Sequence, residues 1–474
     1  MSKPRVLPSF FLLATVIVFS AAQGRAASSA WDDLSRPAQA AISRAVAGDP
    51  AGESGGIVPQ TIGTILPKAT LGGNSRESLG LSIAISGDTV VAGARFAFPP
   101  AVYVFVKPAS GWGDTTTFAA KLTGWDDGFG TSVAILGDTV VVGAPQTYDG
   151  LKGAAYIFLK PAAGWESTSA FTAKLTESGG QNGDEFGAGL AISEKTIFVG
   201  APHSRVLRGL PGSGAIYVFE EPASGWATTS TFAARLAAND VRPGYELGAA
   251  LAVSEATLIA GVPRVSAAYV FLKPTSGWVS TSVFDAKISS PDPASESGFG
   301  ESVAISDDTI VVGVPFARIE PNANQGSAFV FEKPASGWAS TSAFQAMLTA
   351  SDGAERNYFG ASVALSGPTV SVGAPAQIDL NLPGAVYVFV KPSGGWKSTS
   401  GFDEKLTASD AAGFDAFGFP LASSDGTLAV GAWAADFFGG AVYLFEGFPL
   451  ACTPGSRCVT PIAPTPTELL GPRQ

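Results

Sequence analysis

The chain has 474 residues, 46% of them hydrophobic, with 57 glycines and 33 prolines. Its length would suit two or three ordinary domains, but many turn formers and no long 3.6-residue periodicity exclude a helical core. A net charge of −11 opposes binding to nucleic acid or anionic lipid, and a single histidine rules out zinc motifs built on histidine pairs.

Lys3 and Arg5 precede an apolar run, Phe10 to Phe19, that ends in small residues from Ser20 to Ala27. Ten apolar residues are too few to span a bilayer and suit a secretory signal, residues 1–22, with cleavage after about Ala22 or Ala26. The mature chain is then expected outside the cytoplasm, secreted or periplasmic, with a charge of about −13 once Lys3 and Arg5 are removed. Residues 23–56 read as a flexible leader, in which Ser35, Pro37 and Gly48 frame a short helix. Within it, Gly52-Glu53-Ser54-Gly55-Gly56 matches G-x-S-x-G only in letters, because no strand precedes it and no helix follows.

From 57 to 447 one phrase recurs. Leu79-Gly80, Phe129-Gly130, Phe186-Gly187, Leu247-Gly248, Phe299-Gly300, Phe359-Gly360 and Phe417-Gly418 lie 50 to 61 residues apart, the size of a propeller blade. Each unit carries up to four β-patterned segments. The first alternates small and branched residues (Ser132, Val133, Ala134, Ile135), as an inner strand near a crowded axis must. The second is a continuous run such as Thr139-Val140-Val141-Val142, which fits a strand covered on both faces. Six units add a Lys-Pro-x-x-Gly-Trp phrase or a close variant (Trp112, Trp165, Trp226, Trp278, Trp338, Trp396). This Trp is expected to brace a hairpin rather than stack on sugar. The seventh unit stops after three strands, and the segment Thr61 to Leu71 is placed to supply the fourth. The expected fold is an all-β, seven-bladed propeller of four-stranded antiparallel blades, closed three plus one by an N-terminal strand.

The phrases Phe-Gly and Gly-Ala-Pro (143–145, 200–202, 373–375) resemble FG-GAP repeats, the unit of the integrin alpha-chain propeller and of many secreted bacterial proteins. The resemblance implies a seven-bladed fold and a binding or adhesion role. It does not carry over the integrin calcium loop, since the turn between the first two strands is only a Ser-Gly-Asp-Thr-like phrase, too short for six to eight oxygen ligands.

One propeller face collects the connections from second to third strand, and these differ in every unit. Constant scaffold with variable loops marks a binding face, so the candidate contacts are Arg95, Tyr148, Asp149, His203, Arg205, Arg208, Arg264, Arg318, Glu320, Asp379 and Asp436. Acids before each Phe-Gly (Asp126, Asp127, Asp184, Asp240, Asp292, Asp352, Asp410, Asp415) read either as caps of turns or as weak calcium ligands, and recurrence in every blade favours the caps. No acid pair stands out as catalytic, so an enzyme is not expected, with a carbohydrate-active protein or a structural envelope protein as the alternatives. The expected partner is an extracellular or envelope protein or a glycan, met by a monomer without a membrane span. Residues 448–474 form a Pro-rich tail, in which Cys452 and Cys458 are placed for a small disulfide loop in an oxidising compartment.

Overall fold

The computed structural model describes residues 60–65, 77–145, 152–205, 212–240, 244–291, 298–376, 383–408 and 414–448. The signal, the leader and its helix, Tyr148, Asp149, Arg208, Asp292, Asp379, Asp410, Cys452 and Cys458 lie outside these residues.

Seven four-stranded antiparallel sheets stand in a ring. In blade 2 the inner strand Ser132–Leu136 is followed by Thr139–Ala144, Ala154–Leu159 and the outer strand Ala173–Leu175. Its register runs Val133 to Val142, Val142 to Tyr156 and Tyr156 to Lys174. Each inner strand also packs on the inner strands of both neighbouring blades, and blade 1 (Ser82–Ser86) meets blade 7 (Leu421–Ser424) to complete the circle. Among the described residues the only helices are single turns, Pro263–Val265 and Ala435–Phe438.

The repeated letters follow from inter-blade packing. The Phe or Leu of every Phe-Gly phrase is fully buried and sits between blades; Phe129 meets Tyr156 and Phe158 of its own third strand edge-on at 5.6 and 6.2 Å, an arrangement aromatic quadrupoles favour. The glycine after it points its carbonyl at the preceding blade, where Ser82 Oγ donates to Gly130 O at 2.8 Å and Ser132 Oγ to Gly187 O at 2.7 Å. A β-carbon on Gly143 would stand 2.1 Å from that Gly187 oxygen. Glycine in Gly-Ala-Pro therefore makes room for glycine in the next Phe-Gly.

The tryptophans brace, as expected. Trp278 meets Phe198 of the preceding blade at 5.2 Å, edge to face, and Trp278, Trp338 and Trp396 are buried; Trp112, Trp165 and Trp226 pack partly buried in the same position. Closure also follows the expectation, with residues 66–71 of the expected segment lying outside the described residues. Gln60–Ile65 pairs with the third strand of blade 7, Ala441–Glu446, from Gln60 opposite Glu446 to Ile65 opposite Val442, with one irregularity between Thr61 and Gly63.

Candidate functional site

The connections from second to third strand and from one blade to the next open on the same face. There, the residue before each Phe-Gly or Leu-Gly phrase takes a left-handed backbone: Ser78, Gly128, Glu185, Glu246, Gly298, Tyr358 and Ala416 have φ between 50° and 78°. Glycine adopts this region freely and other residues at a cost. Blades 3 and 4 place glutamates in it.

Those two glutamates enclose the chain's one histidine. His203 opens the long loop of blade 3, its backbone N–H donating to Asp184 O at 3.2 Å. Its Nδ1 lies 3.2 Å from Glu185 Oε1 and its Nε2 3.6 Å from Glu246 Oε1. Burial alone would depress the imidazole, but hydrogen bonds and charge from Glu185 and Glu246 outweigh it and push the histidine up to about 9. Arg264, at the matching loop position of blade 4, donates from Nε to Glu246 Oε1 at 2.9 Å. Burial works against the charge on Glu246, yet His203 and Arg264 hold its carboxyl below the usual range. Glu301 follows the Phe-Gly of blade 5; burial, then the charge of Glu246, push it up to about 7 against Arg264. Five ionisable groups thus run in a line across blades 3, 4 and 5.

A second acidic pair lies behind the histidine. Glu177 and Asp184 are both buried, 5% and 4% exposed. Burial and the neighbouring Asp184 raise Glu177 to about 7, while Tyr217 and Lys152 oppose the rise. Asp184 Oδ2 accepts the Gln181 N–H at 2.8 Å, a turn cap of the expected kind.

Asp126, Asp240 and Asp352 depart from the turn-cap reading. Asp126 accepts from the Tyr156 hydroxyl and from Lys174 Nζ. Asp240 accepts from Tyr269 at 2.8 Å and Lys287 at 2.7 Å, and Asp352 from Lys405 at 2.6 Å. In all three the lysine also lies over the tyrosine ring, 5.0 to 5.3 Å from its centre. In blade 1 Glu77 takes the acid's place, accepting from Tyr103. Each clamp ties the connection entering a blade to the third and fourth strands of that blade, because tyrosine and lysine face each other across the register. Blade 5 has Phe329 opposite Met347 instead. Among the described residues no three His, Cys, Asp or Glu side chains are grouped to hold a metal ion.

Exposed aromatics form a third feature of the face. Phe96, Phe98 and Trp125 are 51%, 88% and 72% exposed. Phe98 and Trp125 meet edge-on at 5.9 Å, and the Arg95 guanidinium lies 4.9 Å over Phe96. On adjacent blade 7, Phe414 and Phe438 are also exposed, the latter tilted against Trp433 at 5.9 Å.

The FG-GAP repeat profile matches five segments, 112–158, 170–219, 283–331, 343–389 and 401–445, about half of the chain. The chain belongs to the FG-GAP repeat family. Among curated proteins, none matches it in sequence. Solved structures of similar shape include a selenomethionine-substituted virginiamycin B lyase from Staphylococcus aureus, 9% identical with a TM-score of 0.49, matched over 82% of this chain and 99% of that one. The WD40 β-propeller domain of Doa1 is 10% identical at 0.46, over 82% and 97%; Kluyvelomyces marxianus Hsv2 is 11% identical at 0.42, over 74% and 88%.

The FG-GAP matches leave out 220–282, the stretch that carries Glu246 and Arg264, while Glu185, His203 and Glu301 lie within matched segments. Of the sequence candidates, the structure brings His203 and Arg264 together through Glu246. Arg318 and Glu320 pair with each other, through two bonds of 2.6 and 3.1 Å. Arg95 stacks on Phe96, while Arg205 and Asp436 are exposed. Asp127 is half-buried and Asp415 buried. Sequence reasoning pointed to Glu185 only as one of the acids before a Phe-Gly phrase, and it missed Glu246 and Glu301 and the aromatics Phe96, Phe98 and Trp125. The available signal was their absence from the other repeats at the same position.

Proposed function

We propose that this FG-GAP propeller is an exported, non-catalytic binding or adhesion module that holds a macromolecular partner on its variable-loop face. One observation carries the reading: the exposed aromatic rings Phe98 and Trp125, with Arg95 and Phe96 beside them, stand on that face next to the exposed Phe414 and Phe438 of blade 7. Aromatic and arginine side chains are the residues that most often anchor a protein interface. The opposite face repeats one hairpin with little change. The signal-like segment at residues 1–22 supports export.

The test is binding of the mature protein to isolated envelope and matrix fractions, scored for Phe98→Ala with Trp125→Ala against Val279→Ala on the opposite hairpins. Loss of binding only in the aromatic variant is the expected result. Equal binding by both variants would remove the loop face from the proposal. The same open rings favour a second reading, a lectin, because planar aromatic faces stack on the C–H faces of sugars. A glycan array distinguishes it, with retention of a specific saccharide expected only if the second reading holds.

A further inference from the structure

Outer strands are the exposed edges of a propeller, and an open edge with unpaired N–H and C=O groups is a template for another strand. Five of the outer strands here are covered by the hairpin of the next blade. At the junction of blades 1 and 2, Lys121 N–H donates to Ser167 Oγ at 2.9 Å, Thr168 N–H to Lys121 O at 3.1 Å, and Thr123 N–H to Thr168 O at 3.0 Å. The junction of blades 5 and 6 repeats this with Met347, Ser398, Thr399 and Thr349. The bridges Leu175 to Thr229, Leu236 to Thr281 and Ile288 to Thr341 mark the other three.

Blade 6 breaks the series. No described residue bonds to the outer edge of its strand Glu404–Leu406, so Lys405 N–H, Lys405 C=O and Thr407 N–H have no protein partner among the described residues. The residue that opens this strand differs too. Ala120, Ala173, Ala234, Ala286 and Ala346 open the covered strands and are fully buried, whereas blade 6 has the half-buried Glu404. The cause lies in blade 7, which has no Lys-Pro-x-x-Gly-Trp hairpin.

We propose that the chain's own C-terminal segment, flanked by Cys452 and Cys458, docks along the edge of Glu404–Leu406 with Ser456 in the threonine's place. The count supports that position. In blades 2 to 6 the bridging threonine follows the last residue of the third strand by nine, as Thr168 follows Leu159 and Thr399 follows Val390. The residue directly after that strand bonds back to the inner hairpin, as Lys160 does to Asp138. In blade 7 this bond is made one residue later, by Phe448 to Gly426. The same count, moved by one, lands on Ser456, and the next residue, Arg457, is opposite in sign to Glu404.

Hydrogen exchange on the full-length mature protein tests this, with Met347 and Thr349 in the covered edge of blade 5 as internal standards. Lys405 and Thr407 amides should be protected in the full chain. They should exchange at least about tenfold faster in a chain ending at Leu450, and again in Ser456→Pro, while Met347 and Thr349 stay unchanged in both. Fast exchange of Lys405 and Thr407 in the full chain would overturn the proposal. So would equal protection in the truncated chain, which would assign the edge to a strand from another molecule.

Discussion

His203 is the side chain whose charge the loop face controls most directly, and its pH dependence has a definite sign. A histidine raised to about 9 in the folded chain, against about 6.5 when unfolded, stabilises fully below pH 6.5, and that contribution is lost as pH rises through 9. Glu177 and Glu301, raised to about 7 from 4.5, favour the folded state while protonated, and this is lost earlier, as pH rises from about 4.5 to 7. The substitution His203→Gln stays neutral and separates the two effects. The Tm gap between wild type and His203→Gln should be widest near pH 6 and close by about pH 10; a gap that does not change with pH would deny the ion pairs. The clamps give two further expectations. Asp126→Ala leaves Lys174 and the Tyr156 hydroxyl without their acceptor and should cost about 1–3 kcal/mol. Adding Tyr156→Phe and Lys174→Met copies the Phe329 and Met347 pair that blade 5 already uses, so urea unfolding should show the triple variant recovering part of that loss. Because Lys174, Lys287 and Lys405 already neutralise these acids, a Tm measured in calcium and in chelator should coincide. Calcium at about 100 times its Kd would instead add about 2.7 kcal/mol.

At the scale of the element, the junction between Gly-Ala-Pro and the next Phe-Gly limits what the strands can tolerate. Gly200 is the penultimate residue of the second strand of blade 3, Thr196–Ala201, and a β-carbon there would stand 1.9 Å from Gly248 O of blade 4. Backbone cannot yield as a flexible side chain does, so Gly200→Ala should destabilise by about 3 kcal/mol. Gly225→Ala, in the exposed hairpin of the same blade, meets nothing within 4 Å and serves as the control, its left-handed φ of 85° costing only the local penalty. Circular dichroism melts of the two variants decide the matter, and equal losses would show that conformation rather than inter-blade contact sets the glycine requirement. Strands of this kind were legible from sequence because both periodicities are strict: small and branched residues alternate along Ser132–Leu136, and Val140 to Val142 are all buried. The clamps were not legible. Asp126, Tyr156 and Lys174 lie 30 and 18 residues apart, and only the register of the third and fourth strands reveals that they meet.

For the whole molecule, repetition made the ring readable and hid its site. Seven copies of one phrase fixed blade number, strand order and the three-plus-one closure, because each copy is constrained by the same neighbours. The charged line exists in one sector only. Glu185 and Glu246 occupy the left-handed position that glycine fills at Gly128 and Gly298, so the departure from the repeat, rather than the repeat, carried the information. The same logic bears on closure. The third strand of blade 7 pairs on one side with Thr427–Ala432 and on the other with Gln60–Ile65 alone, so removing residues up to 65 exposes the backbone of Ala441–Glu446. A propeller opened at this seam keeps six complete blades but gains a bare edge of six residues, which invites pairing between molecules. The deletion should therefore lower Tm and make light scattering on heating depend on protein concentration. An unchanged melt, with scattering no greater than that of the full chain, would mean that the ring is held by its inner strands and the Leu79-to-Gly440 contact without the N-terminal strand.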